Sequence, residues 1–277
     1  MFALDRRWIY LVLGLSVLIS LVIPFTVPIP ISQEARNIYN YVDSLKAGDV
    51  IHLAIDYDPS TIAELHPMSL SILRQCFDKK IKVVVTALHP NGPVMTAMLL
   101  DTAVARHFAR TGERMKRGID YVFLGYKPYP ALIILGMGQN YRIPFPTDYY
   151  NVPVDSLPMM AHVRNLTDVR AVLNVSGTSG TDYWITYGNG RYGVPLALGL
   201  TGVMASDYYP YMQTHQIFGL LGGLKGAAEY EELVGAPGRA VEGMKVQVVA
   251  HMVIILFIIA GNVGYFAIPK SQRRRLT

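Results

Sequence analysis

The residues best placed to do chemistry stand where apolar runs stop. Ile51–Tyr57 (IHLAIDY) ends in Asp56-Tyr57, with Asp58 just beyond it. Lys82–Leu88 (KVVVTAL) leads to His89, Asp120–Tyr126 (DYVFLGY) to Lys127, and Ala171–Val175 (AVLNV) to Ser176-Gly177-Thr178-Ser179-Gly180. Short apolar runs between helical stretches are the mark of buried parallel strands. In such sheets ligands gather beyond the carboxyl ends of the strands, where the strand order reverses. Two carboxylates, an amine and several hydroxyls would then meet at one edge. The candidate ligand set is Asp56, His89, Lys127, Ser176, Gly177 and Thr178. If the edge is catalytic, the reactive groups are Asp56, Asp58 and Lys127.

Each residue also has a plain structural use. Asp58 precedes Pro59 and Ser60 and can cap the helix that follows. Lys127 can simply pair with an acid. Ser176–Gly180 can be an ordinary turn, or its glycines and the next helix N-terminus can hold an anion. It matches neither G-x-x-x-x-G-K-[ST] nor G-x-G-x-x-G. The tract Asp56-Tyr57-Asp58-Pro59-Ser60 resembles the D-x-D-x-[TV] loop of haloacid-dehalogenase-like phosphatases. That resemblance implies Asp56 as nucleophile and Asp58 as general acid/base. It spans five residues, and Ser60 replaces the usual Thr or Val. The paired acids that hold magnesium in those enzymes are missing, since Asp207 stands alone. The histidines form no H-x-x-x-H or H-E-x-x-H, and Ser179 is not in a G-x-S-x-G, because Thr181 occupies the last position. No metal and no cofactor is expected, and the balance favours a non-enzyme.

The elements that would position these groups alternate. Helices are expected over residues 60–79, over 92–111 with Val94, Met98, Val104 and Phe108 as apolar residues, over 155–168, and from Pro210 to Val234. A fifth strand is Pro195–Val203. The expected fold class is α/β: a Rossmann-like, mostly parallel five-stranded sheet with helices on both faces. A flavodoxin-like order, 2-1-3-4-5, places Asp56 and Asp58 beside Lys127, and Lys127 beside Ser176; 3-2-1-4-5 is the alternative. The Pro- and Tyr-rich stretch 128–153 is too long for an ordinary connection and reads as a lid or an arm. Within it, Ala131–Leu135 suits an extra strand or a short helix.

Two uncharged hydrophobic stretches, Trp8–Ile31 and Val246–Ile268, bracket this domain. Each is long enough to cross a bilayer, which takes about 20 apolar residues. The first lacks a small-residue cleavage pattern, so it reads as an anchor and not a signal peptide. The expected organisation is a tail (1–7), a transmembrane helix (8–30), an amphipathic linker helix (31–48), an α/β domain (49–238), a second transmembrane helix (246–268) and a basic tail (269–277). Lys270 and Arg273–Arg275 keep that tail cytoplasmic, and the domain then lies in a periplasm or outside the cell. The formal charge of +5 belongs to the ends, because residues 31–245 hold 19 basic and 19 acidic side chains. A neutral domain has no electrostatic footprint for nucleic acid. The lone Cys76 excludes an internal disulfide and reads as a small buried hydrophobe.

Membrane lipid and other protein chains are the expected partners. Gly219, Gly222, Gly223 and Gly226 would form one stripe on a helix, at about 1 kcal/mol each relative to Ala. A backbone approaching that stripe would offset the cost. Interface candidates are therefore Gly219, Gly223 and Gly226, with Tyr208 and Tyr211 and, in the second anchor, Asn262. The expected function is a membrane-anchored extracytoplasmic scaffold or accessory subunit of an oligomeric envelope complex, of transport or secretion type. The alternatives are a ligand-binding or sensory domain and a membrane-tethered hydrolase using Asp56.

Overall fold

Six parallel strands lie in the order β3-β2-β1-β4-β5-β6 in a computed structural model that describes residues 6–23 and 25–267. The strands are β1 (Val50–Asp56), β2 (Lys82–Ala87), β3 (Tyr121–Tyr126), β4 (Val172–Ser176), β5 (Leu196–Leu200) and β6 (Gly219–Gly222). The helices are α1 (Arg6–Val22), α2 (Gln33–Ser44), α3 (Ile62–Asp78), α4 (Gly92–Thr111), α5 (Pro130–Gln139), α6 (Thr181–Tyr183), α7 (Gly190–Tyr192), α8 (Gly202–Gln213), α9 (Gly223–Leu233) and α10 (Arg239–Ala267). A π-helical turn, Trp184–Asn189, joins α6 to α7. The chain forms two units: the sheet unit, Ile29–Val241, and a second comprising the chain up to Pro28 and from Glu242 onward. The sheet unit is Rossmann-like.

The order 2-1-3-4-5 is therefore corrected to the alternative, 3-2-1-4-5, and a sixth strand is added. The long 128–153 stretch belongs to the reason. From edge strand β3 the chain must return past β2 and β1 to reach β4, roughly 14 Å at the usual strand spacing. The connection does so with its own core: Ile134, Met137, Tyr141, Phe145 and Val154 are buried and join the cluster on one sheet face. Ala131–Leu135 lies within helix α5. The expected helix over 155–168 is instead three short 3-10 turns, with Pro158 starting the second and an Asn165–Asp168 capping box opening the third.

The expected helix from Pro210 to Val234 is also corrected. It is the end of α8, strand β6 and helix α9. Gly223 sits at φ +59°, outside right-handed helix geometry, and a Cβ there would lie 2.8 Å from Gly202 Cα. The break falls at the glycines because only they allow these close approaches. In α4 the buried set is Met95, Leu99, Leu100 and Ala103, whereas Val94 and Phe108 are 66% and 52% exposed. Two apolar stripes compete on that helix, and the crossover selects one.

Carboxylates of α9 hold both ends of the sheet unit. Glu229 accepts from Ser32 N (3.1 Å) and Ser32 Oγ (2.7 Å) and pairs with Lys225. Ser32 in turn caps α2. Glu231 accepts from Gly238 N (2.8 Å), Ala240 N (3.2 Å) and Val241 N (2.9 Å). Amides at the start of a helix such as α10 have no acceptor within their own helix.

Helix α10 is long and apolar enough to cross a membrane. The first hydrophobic stretch does not form the expected helix over 8–30. Helix α1 has 17 residues and ends at Val22, about 25 Å at 1.5 Å per residue. Residues 25–32 form neither helix nor strand, and Pro28 and Pro30 suit that. Pro24 and the basic residues Lys270 and Arg273–Arg275 lie outside the described residues.

Candidate functional site

The sheet order reverses between β1 and β4, and there Asp56 stands in register with Ser176. Strand alternation puts His52, Ala54 and Asp56 on one face of β1, beside Val172, Asn174 and Ser176 of β4. That face is apolar elsewhere, so each polar group on it needs a partner.

Asp56 is 2% exposed. One carboxylate oxygen accepts from Leu88 N at 2.6 Å and the other from Asn174 Nδ2 at 2.7 Å. Asn174 Oδ1 accepts from Thr181 Oγ1 at 2.9 Å, tying β4 to the first turn of α6. Burial raises the Asp56 pKa to about 6, and the donors Leu88 N, Asn174, the Trp184 indole and His89 N keep it from rising further. The indole favours the ionised acid at longer range, without a close hydrogen bond of its own.

Two residues of the same face earlier, His52 is fully buried, with Nδ1 2.7 Å from Tyr141 Oη and Nε2 2.7 Å from Thr86 Oγ1. Its ring meets Trp184 edge-on at 5.1 Å. Burial alone depresses its pKa to about 3, so the ring is neutral. His52, Thr86, Asn174, Thr181 and Trp184 are not among the candidates that the sequence suggests. The available signal for His52, Thr86 and Asn174 is a polar residue inside an apolar strand.

Ser176 Oγ accepts from Thr178 N at 3.1 Å. Gly177 N donates to Asp56 O at 3.2 Å and closes the loop onto the end of β1. His89 is half-buried, and its Nδ1 accepts from Asn91 N at 3.3 Å. Asp58 caps the turn after β1, accepting from Ser60 N at 2.8 Å and Ser60 Oγ at 2.6 Å, and these bonds hold its carboxyl below the usual range. Lys127 is corrected: it follows edge strand β3, with β2 between that strand and β1, and is exposed. It joins neither Asp56 nor Ser176. The phosphatase-like role for Asp56 needs an oxygen facing open space, and here both oxygens face protein donors.

The glycine interface candidates are corrected too, because they meet their own chain. A Cβ at Gly219 would lie 2.2 Å from the Ile38 side chain, and one at Gly226 would lie 2.8 Å from the Leu221 carbonyl carbon. Gly223 meets Gly202, as described above. Tyr208 is buried and donates to Asp182 Oδ1 at 2.8 Å, while Tyr211 is half-buried against it. An open groove of about 530 Å³ lies away from Asp56, before the amino end of β6, lined by Asn37, Tyr41, His215 and Phe218 among others.

Alongside exposed polar groups such as Asn91, Lys127 and Ser179, the carboxyl edge presents a set of apolar side chains to solvent. Val94 follows β2, Tyr129 and Leu132 follow β3, Tyr183 follows β4 and Val203 follows β5. They are 66%, 73%, 66%, 42% and 88% exposed. All stand at or within the first turn of the helix that leaves the strand. No protein-family model, curated protein or solved structure matches the chain.

Proposed function

We propose that this chain is a membrane-anchored, non-catalytic docking subunit, a scaffold or accessory part of an oligomeric envelope complex of transport or secretion type. The observation that carries the reading is the apolar rim of Val94, Tyr129, Leu132, Tyr183 and Val203 at the carboxyl edge of the sheet. Exposed apolar and tyrosine side chains on several successive loops suit a protein partner. The two hydrophobic segments anchor the chain, with both ends cytoplasmic and the sheet unit outside, as the basic residues after α10 favour.

The test is the size of the complex extracted from native membranes in mild detergent. Leu132→Asp and Val203→Asp place acids in the first turns of α5 and α8, where the helix dipole tolerates them. The expected result is a smaller complex with an unchanged melting temperature. An unchanged complex in the double variant would overturn the reading.

A second reading is a ligand-binding or sensory domain, favoured by the register of Asp56 with Ser176 at the strand-order reversal. Thr178→Tyr would block the loop over that point. Loss of ligand-induced thermal stabilisation in this variant supports the second reading; a ligand screen that shifts neither protein removes it. The hydrolase reading is tested by Asp56→Asn, where unchanged turnover of a phosphate ester would exclude Asp56 as nucleophile.

A further inference from the structure

We propose that α10 pairs in parallel with α10 of a second copy of this chain, through a stripe formed by His251, Ile255, Ile258 and Asn262. The inference rests on the reading of α10 as a membrane span. From Val246 to Phe266 the helix has no Asp, Glu, Lys or Arg. Its few polar side chains are not scattered. The stripe residues follow one another at steps of four, three and four, the spacing of a helix–helix seam.

The stripe is exposed: Ile255 by 49% and Ile258 by 56%, with His251 and Asn262 also open. Alongside the stripe residues, from His251 to Asn262, the half-covered positions are Val253 and Phe257, which point elsewhere, roughly 150° round the helix at 100° per residue. Contacts among the described residues therefore leave the stripe uncovered. Within hydrocarbon that matters, because no water is present to complete the hydrogen bonds.

Asn262 shows what kind of partner fits. Its Nδ2 donates to Ile258 O at 2.9 Å, one turn back. The amide has a second N–H and two lone pairs on Oδ1 still to satisfy. An amide is its own complement, so a two-fold axis along the helices sets Asn262 against Asn262 with donor facing acceptor. No formal charge lies on the stripe to repel an identical copy. Both copies enter the membrane in the same direction, which makes the pair parallel and keeps like residues level.

The experiment uses the full chain in native membranes. Cys76 is the single cysteine and is buried, so the wild-type chain sets the baseline for oxidative cross-linking. The single variants are Ile255→Cys and Ile258→Cys, on the stripe, and Val253→Cys and Phe257→Cys, off it. The expected result is a carbonate-resistant protein that cross-links to homodimer several-fold more at positions 255 and 258 than at 253 and 257. Adding Asn262→Leu to the Ile258→Cys variant should reduce the dimer several-fold, while Asn262→Gln retains most of it. Carbonate-resistant protein with equal cross-linking on and off the stripe overturns the pairing alone. So does cross-linking at the stripe to a different protein. Release of the protein by carbonate overturns the membrane-span reading and the pairing with it.

Discussion

Two regions of this molecule place polar side chains in apolar surroundings, and they resolve the problem differently. Around β1 and β4, Asp56, Asn174 and Thr181 bond to one another and to the Leu88 amide, and His52 bonds to Tyr141 and Thr86. On α10, the Asn262 side chain bonds to its own helix alone among the described residues. The first region is closed, and its polar groups specify how strands and loops meet. The second is open, and under the proposed pairing its polar groups would meet those of another helix. A buried, satisfied acid is poor evidence for a reaction. An unsatisfied amide in an apolar helix is a better pointer to a partner.

The largest expected effect comes from opening the closed region. Asp56→Ala leaves Leu88 N and Asn174 Nδ2 without their acceptor in a dry site. Leaving two buried donors without an acceptor costs about 1–3 kcal/mol each. The melting temperature of the sheet unit in the full chain should fall by roughly 10 °C. A fall of under about 2 °C would show that water reaches the site and that the region is not closed. Next is Glu231→Ala, which frees the Gly238, Ala240 and Val241 amides at the start of α10. A lost cap of this kind costs about 2 kcal/mol. Hydrogen exchange at these three amides should rise in the variant, while exchange in β1 and β4 stays slow.

The pH dependence sharpens the picture of the closed region, because its two titratable groups pull in opposite directions. Asp56 moves from its ordinary 3.8 up to about 6. The folded state holds that proton more tightly, so its stabilising contribution is complete below pH 3.8 and is lost as pH rises through 6. His52 moves from 6.5 down to about 3. The unfolded state takes that proton first, so its contribution is complete above pH 6.5 and is lost as pH falls toward 3. Between about pH 6 and 4 the two contributions nearly cancel, each about 1.4 kcal/mol per pH unit. His52→Gln removes one of them. On acidification from about pH 6 to 4, the variant should gain about 2–3 kcal/mol relative to wild type, read by denaturant unfolding at each pH. Parallel curves for the two proteins would mean that His52 is not a neutral, buried group.

The first five strands and their carboxyl ends are legible in the sequence because short apolar runs bounded by polar residues have few other uses; β6, Gly219–Gly222, is not. Nor is the order of the strands. Nothing in Asp120–Tyr126 says that β3 is an edge, and the long connection after it, which suggests a lid or an arm, is also the return path to β4. That one ambiguity sets Lys127 beside Asp56. The glycines mislead for a related reason. The offsets of Gly219, Gly222, Gly223 and Gly226 fit a helix stripe, but close approach to Ile38, Ala205, Gly202 and Leu221 explains them within the fold. Spacing carries the period of a helix; it does not say whether the helix exists. The closed polar network shows in the sequence only as odd residues, His52 and Asn174, inside strands whose other members are largely apolar. Pairing them needs the strand order first.

The smallest expected effect belongs to the open region, and its specificity makes it informative. Asn262→Leu removes an amide that bonds to Ile258 of its own helix in the single chain. Stability of the sheet unit should not change, because that bond lies wholly within α10. Self-association in detergent or lipid should weaken by about 1 kcal/mol, the usual worth of an interhelical hydrogen bond in a membrane. That is roughly a fivefold change in the association constant, measurable at low protein-to-lipid ratio by energy transfer between labelled copies. A matching change at Asp56 would do the reverse: a large loss of stability, with self-association of the surviving folded protein unaltered. If Asn262→Leu instead lowered the melting temperature as Asp56→Ala does, the two regions would belong to one cooperative structure. The distinction between a closed polar core and an open polar seam would then fail.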